Sequence, residues 1–536
     1  MNRPFTRRHF LNLVGAAGGT TAVYNTSLAL GLMQDTGPVA QLDLKNVARE
    51  RKKVAVLGAG LAGLTVAYEL ERAGYEVTVI EASHRTGGRN MTVRHGDVID
   101  EMGHRQVCNF DDDPNLYFNC GPARIPGHHR RIMHYCKTLN VPLQVKANYT
   151  LYSYLHDQNK LDGSQVTVAR HVADTRGFIA ELAYKAVDQN AFEEPLSAED
   201  QEKIRGLLRG FGDLKADGGY RGSERGGRKS GGFIGPAEIH EPLDIQSLLG
   251  DFFWSGFAIF ASEIPDWGEP LMEMKGGNDM IIRALVREID GPIILNAPVR
   301  EIELRDEGVD VTYQHKGERQ TIAADYVFNN IPTHFMPGIP NNLPKHYQEG
   351  LAALQPGNFF KMGLQMRERF WEKEGIYGGI TSTNQPINQI WYPSHDIHAQ
   401  KGVVLGAYSF GPQAEFFEKM SPAERIEFAA NCGDKVHAGY SDNIEAGVSV
   451  AWSRINHMMG CGTGWSIGMP WEENSTDLRD QYYELLQQPA GGRHFMIGDQ
   501  ISYHSSWQEG ARGSAEFALL ELDRRVRAES DRSRKA

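Results

Sequence analysis

Residues 53–89 read KVAVLGAGLAGLTVAYELERAGYEVTVIEASHRTGGR, and this stretch decides the fold of the 536-residue chain. An apolar run ends at Gly58, and further glycines follow at Gly60 and Gly63. An amphipathic helix pattern then leads to a second apolar run, which stops at Glu81. This order of strand, glycine turn, helix, strand and acid predicts a βαβ unit that binds a dinucleotide. The glycines let the backbone approach a pyrophosphate, and the start of the helix offers it N–H groups.

The residues after the second apolar run narrow the choice of dinucleotide. The carboxylate of Glu81 accepts hydrogen bonds from an adenosine ribose and repels a ribose phosphate, which disfavours NADP. Gly87-Gly88-Arg89 follows, and Arg89 brings a positive charge toward the pyrophosphate. A lone G-x-G-x-x-G is often only a tight turn before a helix, but the acid and the second glycine pair in register favour a nucleotide site.

The length and charge of the chain favour an enzyme of two or three domains. The chain is long enough for more than one sizeable core, and its composition is ordinary for a globular protein. A net charge of −12 argues against a surface for nucleic acid. No C-x-x-C pair is present, so neither a zinc site nor a disulfide framework is expected from the five cysteines, Cys108, Cys120, Cys136, Cys432 and Cys461.

The N-terminal residues resemble a twin-arginine export signal. Arg7 and Arg8 stand before a Phe-Leu pair, and a weakly hydrophobic, glycine-containing stretch without acids follows up to Asp35. We therefore expect residues 1–34 to direct export to the periplasm or the medium, by a route that carries folded proteins. Gly, Thr and Asn interrupt the stretch, so stable insertion in a membrane is not expected.

The rest of the chain alternates between helical, glycine-rich and strand-like stretches. Apolar residues at helical spacing predict helices across 170–210. Residues 210–235 hold ten glycines and five Lys or Arg, which favours a mobile surface loop, with an active-site lid or a proteolytic processing site as alternatives. Strands are predicted within 293–328 and 359–411, and residues 494–527 predict a strand, a glycine-bearing turn and a helix.

Four blocks of this sequence together resemble the flavin amine oxidases and, within that family, the L-amino-acid oxidases. They are the glycine fingerprint, the turn Gly121-Pro122-Ala123-Arg124-Ile125-Pro126, the region 359–411, and the stretch from Gly498-Asp499 through Ala511. The resemblance covers most of residues 53–527. It implies an α/β fold in which an FAD-binding Rossmann-like domain of the amine-oxidase (GR2) type accompanies a mixed-sheet substrate domain and a helical insertion.

The same resemblance implies how the domains are divided along the chain. The FAD-binding domain is discontinuous and takes residues 46–110, 276–336 and 486–527. The substrate-binding domain takes residues 111–150, 251–275 and 337–485. The helical domain takes residues 151–250, which include the glycine-rich loop 210–235.

The family holds FAD, and the resemblance carries the binding residues onto this chain. The cofactor contacts that it implies are Gly58, Gly60, Ala62, Gly63, Glu81, Gly88, Arg89, Gly121, Pro122, Ala123, Arg124, Val299, Gly498, Asp499, Trp507, Gln508 and Ala511. Amino-acid oxidases generally hold FAD noncovalently, which is the expectation here. Cys461 lies nine residues after Trp452, a spacing similar to that of the flavin-linked cysteine of monoamine oxidases, so a covalent bond stays open as an alternative.

The resemblance also implies which residues act on the substrate. Arg124 binds the α-carboxylate through two parallel hydrogen bonds. Lys361 holds a water near the flavin and so helps oxygen to react. Tyr392 is preferred to Trp391 as a further partner of the carboxylate, because only tyrosine carries a hydroxyl.

Two further features lie close to these blocks. Trp507 is expected to form a wall of the substrate cavity, with Ser506 beside the substrate amine, where relatives often have Gly or Ala. The run His128-His129-Arg130-Arg131, with His134, fits no standard metal motif, so no metal site is expected.

The implied reaction is FAD-dependent oxidative deamination of L-amino acids to 2-oxo acids, with release of ammonia and hydrogen peroxide. Its partners are the amino acid and oxygen, and a homodimer is the family habit. A flavin monoamine oxidase and an amino-acid 2-monooxygenase are the alternatives. A binding protein with a structural FAD and an NAD-dependent dehydrogenase fit less well, the latter because Gly87-Gly88-Arg89 and the last block indicate FAD.

Overall fold

A parallel sheet gathers strands from distant parts of the chain. Across this first sheet the strands run Ile293–Ile294, Glu76–Ile80, Lys53–Leu57, Tyr326–Asn329 and His494–Met496. Four of them are buried along nearly their whole length, as expected when both faces of a parallel sheet are covered. All five strands lie inside the three segments predicted for the FAD-binding domain.

The structure is a computed structural model. It describes residues 42, 44, 52–187, 196–250, 252–253, 261–464, 466–467 and 476–535. The export signal predicted for residues 1–34 lies outside the described residues. Among the helices that the structure describes, none combines the length and the apolar character needed to cross a membrane.

A second, mixed sheet has seven strands. Across it the strands run Val166–Thr167, Tyr154–His156, Ile380–Thr383, Gln389–Trp391, Gly402–Phe410, Phe359–Met366 and Ile444–Ala451. Neighbours are antiparallel, except that Ile380–Thr383 runs parallel to Tyr154–His156. One face packs on an apolar core that contains Phe360, Met362 and Tyr392. The opposite face therefore presents the alternate residues of these strands.

The range predicted as a helical domain also contributes strands, which corrects that boundary. Residues 151–250 do contain the helices Val168–Ala186 and Ala198–Gly212, which pack against each other. However, Tyr154–His156 and Val166–Thr167 extend the second sheet. Pairing these two strands covers an edge of the sheet that would otherwise expose unpaired backbone groups. The helical segment begins only after them.

The glycine-rich segment 210–235 is partly packed against the helical pair. Gly212 is buried, and a Cβ there would lie 2.3 Å from the Cβ of Ala180. The segment then forms a hairpin whose tip carries Phe233 and Ile234, both fully exposed. Part of this stretch therefore serves helix packing, and only its tip has the exposure expected of a surface loop.

Further helices and smaller sheets complete the described structure. The other α-helices among the described residues are Leu61–Arg72, Arg130–Thr138, Ile245–Leu248, Met280–Arg287, Lys345–Ala353, Phe370–Lys373, Gly411–Glu418, Pro422–Gly433, Arg479–Gln487 and Gln508–Lys535. Two smaller sheets have three strands each. In one, Leu271–Met274 pairs with both Ile125–Pro126 and Leu143–Lys146, and in the other Gly308–His315 pairs with both Val299–Arg305 and Glu318–Ala324. The two-stranded sheets pair Thr92–Val93 with Phe118–Asn119, Val98–Glu101 with His104–Val107, Arg228–Ser230 with Glu238–Ile239, Gln355–Gly357 with Cys461–Gly464, and Ser466–Ile467 with Thr476–Asp477.

Candidate active site

Three glycines shape the turn after the first strand. Gly58 has φ +98°, a backbone conformation that residues with side chains rarely adopt. A Cβ on Gly60 would lie 2.6 Å from Nδ2 of Asn330. A Cβ on Gly63 would lie 2.1 Å from the carbonyl oxygen of Gly58. No side chain caps the helix that begins at Leu61, so its first N–H groups stay open to an anion such as a pyrophosphate.

Glu81 closes this turn from the end of the neighbouring strand. Its Oε2 accepts a hydrogen bond from the N–H of Ala59 at 2.6 Å, and its Oε1 accepts one from the N–H of Ser83 at 2.7 Å. A carboxylate offers about four lone-pair sites, so about two remain for ribose hydroxyls. Glu81 therefore fixes the turn and still offers acceptors to a nucleotide.

A cavity of about 830 Å³ extends from the glycine turn to the second sheet. The turn side is lined by Gly58, Gly60, Ala62, Glu81, Gly88, Arg89, Val299 and Asn330. The intervening segments contribute Gly121, Pro122, Ala123, Arg124, Tyr149, Trp267, Cys461, Asp499, Ser506, Trp507, Gln508 and Ala511. The glycine turn lets backbone N–H groups come close to a pyrophosphate, and the carboxylate of Glu81 keeps acceptors for ribose hydroxyls. Together they fit the pyrophosphate and ribose of a flavin dinucleotide.

Alternation along the strands decides which side chains of the second sheet reach the cavity. Phe360 and Met362 pack in the apolar core, so Phe359 and Lys361 face the other way. The register places Phe410 beside Phe359 and Tyr408 beside Lys361. The cavity floor therefore consists of alternate residues from three neighbouring strands, namely Phe359, Lys361, Gln389, Trp391, Tyr408 and Phe410.

Arg124 enters the cavity as a half-buried cation among three tryptophans. Its guanidinium carbon lies 5.6 Å from the ring centre of Trp267, 5.1 Å from that of Trp391 and 5.4 Å from that of Trp507. It forms no salt bridge within the described residues, and its buried Nε has no hydrogen-bond partner there. Burial lowers its pKa, because a cation loses its hydration in this cage. Such a cation is suited to bind an anion.

The turn that carries Arg124 is fixed by backbone contacts. A Cβ on Gly121 would lie 1.8 Å from the carbonyl oxygen of Arg89, so the two chain segments touch directly. Ile125–Pro126 then pairs with Leu271–Met274 in a short sheet. The guanidinium is therefore held from both sides by backbone that belongs to the cofactor cradle and to a neighbouring strand.

Two tyrosine hydroxyls stand near Arg124. Tyr149 and Tyr408 both line the cavity, and neither hydroxyl bonds to a described residue. Burial raises the pKa of each phenol, while the positive charge of Arg124 opposes that rise. Both side chains therefore lie within electrostatic reach of the guanidinium as neutral hydrogen-bond donors.

Lys361 is a second cation, and it lies buried at the cavity floor. Its Nζ donates a hydrogen bond to the carbonyl oxygen of Gly121 and lies 4.4 Å from the ring centre of Tyr408. Burial lowers the pKa of Lys361 to about 8, although the neighbouring thiols of Cys461 and Cys120 oppose that shift. The ammonium group therefore titrates close to neutral pH, unlike a solvated lysine.

Asp499 joins the cofactor end of the cavity to the tryptophan wall. Arg89 donates through Nη1 to its Oδ2 at 3.0 Å and also binds its other oxygen. The same Oδ2 accepts a hydrogen bond from the N–H of Ser506 at 2.9 Å. Ser506 has φ +70°, a backbone region that favours glycine.

Comparison with known proteins identifies the family. The profile described as flavin containing amine oxidoreductase matches residues 61–518. The chain belongs to this family. A second profile, for pyridine nucleotide-disulphide oxidoreductases, matches residues 10–107, which include the glycine turn. FAD is therefore the cofactor that the cradle around Glu81 fits.

Curated relatives extend along most of this flavin amine oxidoreductase. It is 26% identical over 510 residues to a flavin-dependent L-tryptophan oxidase of Lentzea aerocolonigenes, covering 89% of this chain and 99% of the relative. It is 24% identical over 480 residues to an L-amino-acid oxidase of Pseudechis australis, covering 85% of this chain and 84% of the relative. The predicted membership of the flavin amine oxidase family is confirmed.

Solved structures show the same fold at lower identity. A redesigned putrescine oxidase superposes with a TM-score of 0.59 at 17% identity, covering 89% of this chain and 99% of that one. Cyclohexylamine oxidase from Brevibacterium oxydans IH-35A superposes with a TM-score of 0.57 at 15% identity, covering 89% and 100%. The predicted α/β class, a Rossmann-like FAD-binding part with additional mixed sheets, is confirmed.

Most residues that the resemblance implied line this one cavity of the flavin amine oxidoreductase. Gly63 lies beneath the turn, in contact with Gly58. Gly498, with φ +119°, donates its N–H to the Oγ of Ser514 and directs the chain into Asp499. Both glycines therefore shape the site from behind the cavity wall, and they do not line it.

Tyr392 was the wrong choice for the substrate cavity. It is 1% exposed in the apolar core of the second sheet. Its hydroxyl donates to Oγ1 of Thr381 at 2.8 Å and lies 2.6 Å from Nε2 of His437. Because neighbours along a strand point to opposite faces, Trp391 reaches the cavity and Tyr392 cannot. The tyrosines that line the cavity among the described residues are Tyr149 and Tyr408.

Several cavity residues were missed from the sequence. Side chains along a strand alternate between its two faces. This alternation could have identified Phe359, which lies on the same face as Lys361, and it could have identified Tyr408 and Phe410, which share a face of the partner strand. No local pattern marks Tyr149 or Trp267, because tertiary packing alone brings them to Arg124. Asn330 follows a buried strand of the first sheet, where polar residues commonly meet a nucleotide.

Replacing Glu81 by alanine should release much of the cofactor. The change removes the acceptor of the N–H groups of Ala59 and Ser83 and the acceptor for the ribose, together worth about 2–3 kcal/mol. We expect the dissociation constant for FAD, measured by titrating the apoprotein, to rise by roughly thirtyfold to a hundredfold.

Glu71 provides a matched control for this experiment. Its two oxygens also accept two backbone N–H groups, from Asp290 at 2.9 Å and Gly291 at 2.8 Å, but it does not line the cavity. Glu71→Ala should therefore lower stability without changing FAD affinity. Equal loss of FAD in both variants would contradict the role given to Glu81.

Proposed function

We propose that this flavin amine oxidoreductase oxidises α-amino acids, and the half-buried guanidinium of Arg124, which has no ion-pair partner among the described residues, carries the proposal. Enclosing a cation without an ion-pair partner is costly, and the α-carboxylate of an amino acid supplies that partner. An amine without a carboxylate would bring a second basic group beside Arg124 and leave its cation unpaired. The L-tryptophan oxidase and L-amino-acid oxidase among the relatives support an amino acid of L configuration.

The side-chain end of the cavity favours neutral substrates. Among the described residues that line the cavity, the acids are Glu81 and Asp499, and both are engaged at the cofactor end. The walls near Arg124 are aromatic. Oε1 of Gln389 accepts a hydrogen bond from the indole N–H of Trp391 at 2.8 Å, which leaves the amide N–H groups of Gln389 as donors toward the cavity. Aromatic and large neutral amino acids suit this lining better than lysine or arginine.

The residues of the chain position and enclose the substrate. FAD, when bound, supplies the two-electron oxidation of the Cα–N bond and passes the electrons to oxygen. Arg124 binds the carboxylate in two parallel hydrogen bonds, and the hydroxyl of Tyr149 or Tyr408 donates a third. Trp507 and the other indoles exclude water, which strengthens these bonds.

Two positive groups complete the site at the reacting end. Lys361 holds a proton at Nζ beside the carbonyl of Gly121, where it stabilises negative charge that develops on oxygen. The helix that begins at Gln508 directs its N-terminal N–H groups and dipole toward the cavity edge formed by Gln508 and Ala511. Amine oxidation of this kind gives a 2-oxo acid, ammonia and hydrogen peroxide after hydrolysis of the imino acid.

Product analysis tests this function against its alternatives. The purified holoenzyme is incubated in air with L- and D-phenylalanine, L-lysine, L-glutamate, putrescine and 2-phenylethylamine. The proposal predicts 2-oxo acid, ammonia and peroxide in equal amounts from L-phenylalanine, with much less from the others. Amide and carbon dioxide would indicate a 2-monooxygenase, and peroxide from the amines would indicate a monoamine oxidase.

We also infer that FAD is held noncovalently. Cys461 lines the cavity beside Arg89 and Lys361, so it is the residue that a covalent bond to FAD would use. Burial raises the pKa of the Cys461 thiol despite those cations, and a thiol is a weak nucleophile compared with its thiolate. Acid precipitation should therefore leave all the flavin in the supernatant. Flavin retained in the pellet of the wild type but not of Cys461→Ala would overturn this inference.

We further propose export and a homodimeric assembly, on the twin-arginine pattern and the family habit respectively. Replacing Arg7 and Arg8 by lysine should keep the protein inside the producing cell.

Sedimentation of the purified holoenzyme should give twice the mass of one chain, whereas a monomer would contradict the assembly.

A further inference from the structure

A cluster of two histidines and an aspartate lies directly behind the tryptophan cage. Nε2 of His128 and Nε2 of His129 each lie 2.8 Å from Oδ1 of Asp266. All three potential ligand atoms lie within 4.8 Å of one another. The aspartate comes from a segment 137 residues beyond His129, so no spacing motif in the sequence reveals the cluster.

We propose that His128, His129 and Asp266 form a binding site for a divalent transition metal of the zinc class. Imidazole nitrogen and carboxylate oxygen are ligands that zinc takes at about 2.0–2.2 Å. Two ligands of a tetrahedral ion then lie roughly 3.3 Å apart. Each N–O separation needs to widen by only about 0.5 Å to admit the ion, which is within the reach of side-chain rotation. A fourth position stays open to water.

The surroundings support a built site. His129 is only 2% exposed, whereas His128 is half exposed and gives the ion a path from solvent. His504 stands near the cluster, with its ring centre 5.9 Å from that of His129.

The proposed ion would connect the segments that form the cage around Arg124. Asp266 directly precedes Trp267, and the ring of His129 meets the ring of Trp507 edge to face at 5.1 Å. His128 and His129 follow the turn that carries Arg124. A metal that binds only the folded arrangement of these segments stabilises it by mass action. The site is independent of which substrate the cavity takes.

Zinc binding to the holoenzyme tests the proposal. The protein is first freed of metal with a chelator, then equilibrated with zinc chloride, and bound zinc is counted by mass spectrometry. The variants are His128→Ala and Asp266→Asn, and His134→Ala is the matched control, because His134 is an exposed histidine on the next helix turn outside the cluster. Cobalt(II) absorption reports the ligand geometry, and thermal unfolding with and without zinc reports stabilisation.

The expected result is one zinc per chain in the wild type and in His134→Ala. Both should show a raised midpoint of thermal unfolding with zinc and tetrahedral cobalt absorption. Affinity should fall at least tenfold in His128→Ala and in Asp266→Asn. The proposal is overturned if the wild type takes up no zinc, or if His128→Ala binds it as tightly as the wild type. In either case the cluster would be only a hydrogen-bonded ion pair.

Discussion

Replacing Arg124 by methionine should lower kcat/KM for L-amino acids by about a thousandfold or more. Methionine keeps an unbranched apolar stem in the tryptophan cage but removes both parallel hydrogen bonds and the charge that meets the carboxylate. Loss of one partner of a buried, charge-assisted pair costs about 2–5 kcal/mol, and about 4 kcal/mol is a thousandfold. Steady-state peroxide release with L-phenylalanine measures the effect.

The same variant has an informative set of controls. Arg124 makes no salt bridge within the described residues, so Arg124→Met should fold and retain FAD, which the flavin absorbance reports. Arg124→Lys keeps the charge but loses the planar pair of donors, so its kcat/KM should lie between those of the wild type and Arg124→Met. Turnover of L-phenylalanine by Arg124→Met within tenfold of the wild type would remove the carboxylate role.

Replacing Lys361 by methionine should slow flavin reoxidation by oxygen about a hundredfold. The Nζ ammonium is the cation at the cavity floor, and an ordered positive charge that stabilises negative charge on oxygen is worth about 2.7–4 kcal/mol in comparable sites. Stopped-flow mixing of the substrate-reduced enzyme with oxygenated buffer measures this step directly. Reduction of the flavin by the amino acid without oxygen should change only a few-fold, because Lys361 does not hold the carboxylate.

Lys361 also gives this step a pH dependence of defined sign. Burial lowers its pKa to about 8, so the ammonium is present below that pH and is lost above it. The reoxidation rate of the wild type should therefore fall as pH rises through about 8, and Lys361→Met should show no such step. An unchanged pH profile in the variant, or a rate that rises through this range, would assign the effect to another group.

The cofactor half of the site was predictable because its signal is local. Gly58, Gly60 and Gly63 fall within one short turn, and Glu81 follows at the end of the adjacent strand. Strand, turn and helix lie within one continuous stretch, so their spacing is fixed by secondary structure alone. Arg124 was reached only through the family resemblance, since nothing in its immediate neighbours predicts a cation among three tryptophans.

The substrate half was less predictable because packing decides it. The hydroxyl of Tyr392 makes it the better partner for a carboxylate, but side chains alternate along its strand, and this alternation places Trp391 in the cavity. The helix Val168–Ala186 was predicted from apolar residues such as Leu182, yet Leu182 is 72% exposed. The helix packs through small residues instead, and a Cβ on Gly177 would lie 2.3 Å from the ring of Tyr220. Such close contacts depend on partners that a hydrophobic pattern does not identify.

Anaerobic reduction of the flavin by a matched pair of compounds is the sharpest test of whether Arg124 binds a substrate carboxylate. L-Phenylalanine and 2-phenylethylamine differ only in the carboxylate that Arg124 is proposed to bind. L-Phenylalanine should bleach the flavin of the wild-type enzyme rapidly, and 2-phenylethylamine should do so at least a hundredfold more slowly. Arg124→Met should remove most of this difference. Equal bleaching by both compounds in the wild type would contradict this role of Arg124.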